Sequence, residues 1–102
     1  MYRLDESKQA GKDYETAERA GRGAKLDEIL AVMERAPYED TPGHRFEQLV
    51  GNLKGAYSRR IDYHNRVVYT VHPNAEGAKD DDGNLYEGIV RVHNAWGHRY
   101  NA

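Results

Sequence analysis

The residues with the plainest capacity for chemistry lie between positions 44 and 72. That stretch carries Arg45, Lys54, Arg59, Arg60 and Arg66 against only Glu47 and Asp62, a net charge of +3 within a chain whose formal net charge is −2. Clustered arginines grip phosphate well, because the planar guanidinium fork donates parallel hydrogen bonds to two oxygens of one anion. The distribution of charge therefore says more than its sum, and a basic middle points to a nucleic-acid partner. Residues 1–43 are net −3, residues 73–87 net −4 (Glu76, Asp80, Asp81, Asp82 and Glu87 against Lys79) and residues 88–102 net +2, so an acidic loop interrupts two basic segments.

Other chemistries are poorly served. There is no cysteine, which removes thiol nucleophiles, Cys-based zinc sites and disulfides, and suits a reducing, cytoplasmic setting. The five histidines, His44, His64, His72, His93 and His98, show no paired ligand spacing, so neither a metal nor another cofactor is expected. The run Asp80-Asp81-Asp82-Gly83-Asn84 lacks the alternating acids and closing glutamate of a calcium loop and reads as a solvated tip. The amino terminus has no apolar leader segment, and no stretch approaches the 18 or so apolar residues of a membrane span. No membrane association is expected.

The elements that must position these residues follow from periodicity. A chain of 102 residues, 38% hydrophobic and 31% charged, fits one domain over 1–102 with a modest core. Leu4 opens a short extended start. Ala10, Tyr14 and Ala17 form a helical stripe ended by Gly21 and Gly23, and Leu26, Ile29, Leu30 and Met33 form a second that stops at Ala36-Pro37, because proline disfavours helix in its predecessor. Tyr38–His44 reads as loop, and Phe46–Asn52 has no clear period. From Gly55 the period becomes two: Tyr57 and Ile61, then Val67, Tyr69 and Val71, alternate with polar residues, which predicts a hairpin. With Ile61 opposite Val67 and a Tyr63-His64-Asn65 loop, Arg60 and Arg66 project together from the face away from the core. A linker over Pro73–Leu85 precedes a last strand over Tyr86–Trp96. The expected fold class is α+β, two N-terminal helices packed on an antiparallel sheet.

Leu49-Val50-Gly51-Asn52-Leu53-Lys54-Gly55-Ala56-Tyr57-Ser58-Arg59-Arg60-Ile61, followed by Asn65-Arg66-Val67-Val68-Tyr69, resembles the Txe/YoeB branch of the RelE superfamily of toxins. The hallmark there is L-x-G-x-L-x-G-x-[WY]-S-R-R-I and then an R-[LV]-V-Y strand. Pro37-Tyr38 and Trp96-Gly97-His98 add flanking matches, so the resemblance runs from about Leu26 to Tyr100. It implies a RelE-like fold and the toxin of a type II toxin–antitoxin system: an mRNA interferase, working without metal, that cuts message in the A site of the 30S ribosomal subunit. It also implies a cognate antitoxin of the YefM/Phd-like or Axe-like kind, and it allows a homodimer.

Carried over by position, the resemblance makes Glu47 the general base, Arg66 the transition-state arginine, Arg60 a second arginine near the site, and His98 the general acid. Arg59, Lys54 and Arg45 join them as cations able to contact RNA, although Arg59 also reads as a sheet arginine paired with Asp62 or with acids of the helices. RNA needs no more than these roles for cleavage, since its own 2′-OH attacks phosphorus to leave a 2′,3′-cyclic phosphate and a 5′-OH. At the end, His98-Arg99-Tyr100 departs from the adjacent His-Tyr of the family. A strand extended past Trp96 puts Tyr100 on the face of His98, whereas a strand ending at Gly97 gives the tyrosine's place to Arg99. The second geometry is favoured. The alternative function is a catalytically weak protein that blocks translation by occupying the A site.

Overall fold

The computed structural model describes residues 1–97. A first strand, β1 (Arg3–Glu6), leads directly into helix α1 (Lys8–Arg19). Ser7 makes the junction sharp: its Oγ accepts from the Ala10 amide and donates to the His93 carbonyl, capping the helix and tying it to the sheet. Helix α2 (Gly23–Arg35) buries Leu26, Ile29, Val32 and Met33, the face its apolar spacing predicts. Four sheet strands follow: β2 (Glu47–Gln48), β3 (Ala56–Arg60), β4 (Arg66–His72) and β5 (Ile89–Asn94).

The sheet order is β1-β5-β4-β3-β2. The antiparallel expectation holds for β2 to β5, whereas β1 runs parallel to β5 with Leu4 opposite Val90. The sheet is therefore mixed, with both helices on one side. Val67, Tyr69, Val90 and Val92 face the helices and close one core with Ala10, Ala17, Leu26, Ile29 and Met33. By strand alternation Ser58, Arg60, Arg66, Thr70, His72 and Arg91 belong to the opposite, helix-free face.

Two expected boundaries move. The hairpin pairs Arg60 with Arg66 and Arg59 with Val67, so its turn is Asp62–His64, one residue earlier than the hydrophobic pattern alone suggested. Asp62 sets that turn by accepting from the His64 and Asn65 amides, a local side-chain capture invisible to periodicity. The last strand spans Ile89–Asn94 rather than Tyr86–Trp96. Gly97 then takes a φ of 81°, a left-handed conformation that glycine adopts without strain.

Candidate active site

Two consecutive arginines of β3 go to opposite sides of the sheet. Arg59 is fully buried on the helix side. Its Nε donates to the Tyr69 hydroxyl, its Nη2 to the Glu39 and Pro37 carbonyls, and its Nη1 to Thr41 Oγ1 and His44 Nδ1. Because arginine is only a donor, His44 Nδ1 must accept, and the ring's other nitrogen then donates to Glu28 across 3.1 Å. Arg59 is thus neither an RNA contact nor a partner of Asp62: it ties the 36–44 loop to the sheet through carbonyls. Asp62 pairs instead with Arg22 at 3.0 Å.

Arg60 and Arg66 share the helix-free face, as expected, and the shifted register sets them directly opposite each other. Arg66 was expected to stand clear of the protein, yet it is 7% exposed. Its Nε donates to Ser58 Oγ at 3.0 Å and its Nη2 to the Arg45 carbonyl at 2.8 Å, while Nη2 lies 3.6 Å from Glu47 Oε2. Bonds to β3 and to the backbone just before β2 thus fix the direction of the guanidinium. Glu47, from β2 opposite Ser58, is about half exposed. Base and cation candidates therefore come from β2, β3 and β4 on one face.

Arg45 serves this arrangement through its backbone. Its φ of 47° is unusual for a non-glycine residue, of the kind that costs about 1–3 kcal/mol and is retained where surroundings demand it. The twist turns its carbonyl onto Arg66. The Arg60 guanidinium carbon lies 5.7 Å from the Tyr63 ring centroid, and its Nε is buried with no hydrogen-bond partner. Of the two guanidinium groups only that of Arg66 contacts Glu47, so this face carries more positive than negative charge, which suits an anion. Lys54 is exposed at the end of the 51–53 turn, and no contact joins its side chain to Glu47 or Arg66 among the described residues.

His98, Arg99 and Tyr100 lie outside the described residues. The segment that precedes them is firmly anchored. The Gly97 carbonyl accepts from the Arg66 amide and the Gly97 amide donates to Asn65 Oδ1, while the Ala95 amide donates to Asp13, a buried carboxylate of α1. Periodicity missed Asp13, Asn65, Ser58 and His44. Only Asn65 and Ser58 carried a signal, as members of the motif. Among the described residues no three His, Asp or Glu side chains gather as metal ligands, and no helix is long and apolar enough to cross a membrane.

Comparison with known proteins places this geometry. The profile of the family described as the YoeB-like toxin of bacterial type II toxin-antitoxin systems matches residues 7–79. A YoeB/ParE toxin from Agrobacterium tumefaciens has a similar fold, with a TM-score of 0.74 at 23% identity over 95% of this chain and 99% of that one. The YoeB dimer from Staphylococcus aureus gives 0.67 at 26% identity, covering 96% and 98%. The toxin of the Staphylococcus aureus YoeB-YefM complex gives 0.67 at 27%, covering 97% and 99%. No curated protein sequence matches the chain.

Proposed function

Given that the chain belongs to the YoeB-like toxins of bacterial type II toxin-antitoxin systems, we propose that it is an endoribonuclease that cuts messenger RNA in the ribosomal A site. The observation that carries this reading is the Glu47–Arg66 contact at 3.6 Å, with Arg60 beside it in register. Glu47 takes the proton of the attacking 2′-OH. Arg66, fixed by Ser58 and the Arg45 carbonyl, stabilises the phosphorane oxygens with Arg60, and placing such cations in advance is what makes them effective. His98 returns a proton to the departing 5′-oxygen, and Arg99 supports the phosphate next to it. Each proton-transfer group contributes about 10²–10⁴-fold, so these roles suffice without a metal.

A cognate antitoxin of the YefM kind is the proposed partner, since a relative of similar length is held in a YoeB-YefM complex, and a dimer is in reach because another is one. The protein acts in the cytoplasm, where ribosomes are. Expression without antitoxin tests the reading. Growth arrest with discrete new 5′ ends on message, both removed by Arg66→Ala, is expected. Arrest with intact message on stalled ribosomes would replace cleavage by blockade of the A site, and normal growth with folded protein would refute both.

A further inference from the structure

Beyond the Glu47–Arg66 pair, the helix-free face carries a second group of polar side chains that neither the fold nor the cleavage reaction uses. Thr70 Oγ1 lies 2.7 Å from His72 Nε2 and 2.8 Å from His93 Nε2. A hydroxyl donates once, so at least one imidazole must itself donate to Thr70. Arg91 stands opposite Thr70 in the register, exposed and with no hydrogen bond or ion pair among the described residues. The placement of His93 is specific: the β4–β5 register shifts between Val68 and Tyr69, so Val92, His93 and Asn94 span two residues of β4. Such a bulge re-aims a side chain and recurs beside functional sites.

We infer that Arg91, His72, Thr70 and His93 form a second phosphodiester-binding subsite, which holds the message strand as it leaves the cleavage site. This rests on the RNA reading given above. Thr70 follows Arg66 by four residues on β4, which at a rise of about 3.3 Å per residue sets the subsite about 13 Å away along the same face. A short run of nucleotide backbone spans that separation. Arg91 supplies a fork for two phosphate oxygens, and the imidazoles and the hydroxyl supply further donors. Beside them opens a recess of about 210 Å³ bounded by Ile89, Pro73 and Asn74, an apolar floor against which a base can lie.

The charges around the group favour an anion. Arg91 is on the strand of His93 and His72 is on β4; of the acids, Asp5 stands opposite Arg91 on β1 but is bonded by Arg3 at 3.0 Å, and Glu76 lines the recess with them. Burial first, and then Arg91 and His72, hold the His93 imidazole below the ordinary histidine range. A phosphate set among these cations opposes the two electrostatic causes. RNA binding therefore takes up protons and tightens as pH falls through the imidazole range.

A labelled, uncleavable 2′-O-methyl oligoribonucleotide, titrated into the whole protein at several salt concentrations and at pH 7.5 and 5.5, tests the subsite separately from cleavage. Arg91→Ala is expected to weaken binding about tenfold and to lower the slope of log affinity on log salt by about 0.7, one phosphate contact on a single strand. His93→Gln should abolish the tightening at pH 5.5, and Thr70→Val should weaken it. Unchanged oligonucleotide binding in Arg91→Ala overturns the inference, and so does a loss confined to binding of message-free 30S subunits, which would assign Arg91 to ribosomal RNA. Continued ribosomal cleavage by an Arg91→Ala variant with unaltered oligonucleotide affinity would sink the subsite and leave the proposed function standing. An intact subsite on a protein that never cuts message would do the reverse.

Discussion

Arg59 and Arg60 are adjacent, chemically identical and part of one motif, yet the two faces of the sheet give them opposite uses. On the helix side Arg59 has all three of its nitrogens bonded, to carbonyls, a hydroxyl and an imidazole. On the helix-free side Arg60 keeps a buried Nε without a partner and faces a second arginine across the hairpin. Saturated donors stabilise a fold, because burying a charge is tolerable only when hydrogen bonds replace its water. Unsaturated donors beside a surplus of positive charge are available to a ligand. Strand alternation alone thus gives the motif a structural arginine and one that the proposed function assigns to phosphate.

Substitutions can break that contrast. Arg59→Met should cause the largest loss, upwards of about 3 kcal/mol in urea unfolding, since it strands the Glu39 carbonyl and His44 Nδ1 and takes a donor from the Tyr69 hydroxyl. Arg60→Met should change stability by less than about 1 kcal/mol. Equal losses at the two positions would erase the distinction. Tyr69→Phe should lose about 1–2 kcal/mol, because the hydroxyl both donates to Pro37 at 2.6 Å and accepts from Arg59. Burial, opposed by the nearby Arg59, pushes the Tyr69 phenol up to about 12, and burial raises Tyr14 as well, so absorbance titration should find these tyrosines ionising well after the exposed ones.

The smallest effect sharpens the comparison at the hairpin tip. Partial burial raises the Asp62 pKa, but hydrogen bonds from the His64 amide, Arg22 and Asn65 outweigh it and hold the carboxyl below its ordinary range. Its folded pKa lies below its unfolded one, so its stabilisation is present above the usual carboxylate pKa of about 4 and is lost as pH falls through the folded value. Asp62→Ala should therefore lose about 1 kcal/mol at pH 7 and progressively less towards pH 3 in parallel unfolding curves. A constant difference across that range would mean the carboxylate's charge plays no part in the turn.

Much of the fold was legible because its signals are local. The stripes Ala10–Ala17 and Leu26–Met33 and the alternation over Tyr57–Val71 each bury a face whose period sequence displays directly. The parallel pairing of β1 was not legible, since Leu4 meets Val90 across nearly the whole chain and no local pattern fixes strand direction. In the site, the motif pointed to Glu47, Arg60 and Arg66, and the register puts them on one face. The burial of Arg66 escaped notice because Ser58 and Arg45, which hold it, reach it from other segments. Asp13 escaped for the same reason, its partner Ala95 lying 82 residues away. The choice between Arg99 and Tyr100 falls outside the described residues.

The central claim is that Glu47 acts as a base on a phosphate held by Arg66, and single-turnover cleavage of message on programmed ribosomes by Glu47→Gln addresses it most directly. The amide keeps the shape of the side chain but has no basic oxygen. With Glu47 as the base, ribosome affinity stays unchanged and the cleavage rate falls by about 10²-fold or more. Cleavage by Glu47→Gln at the wild-type rate would contradict the claim.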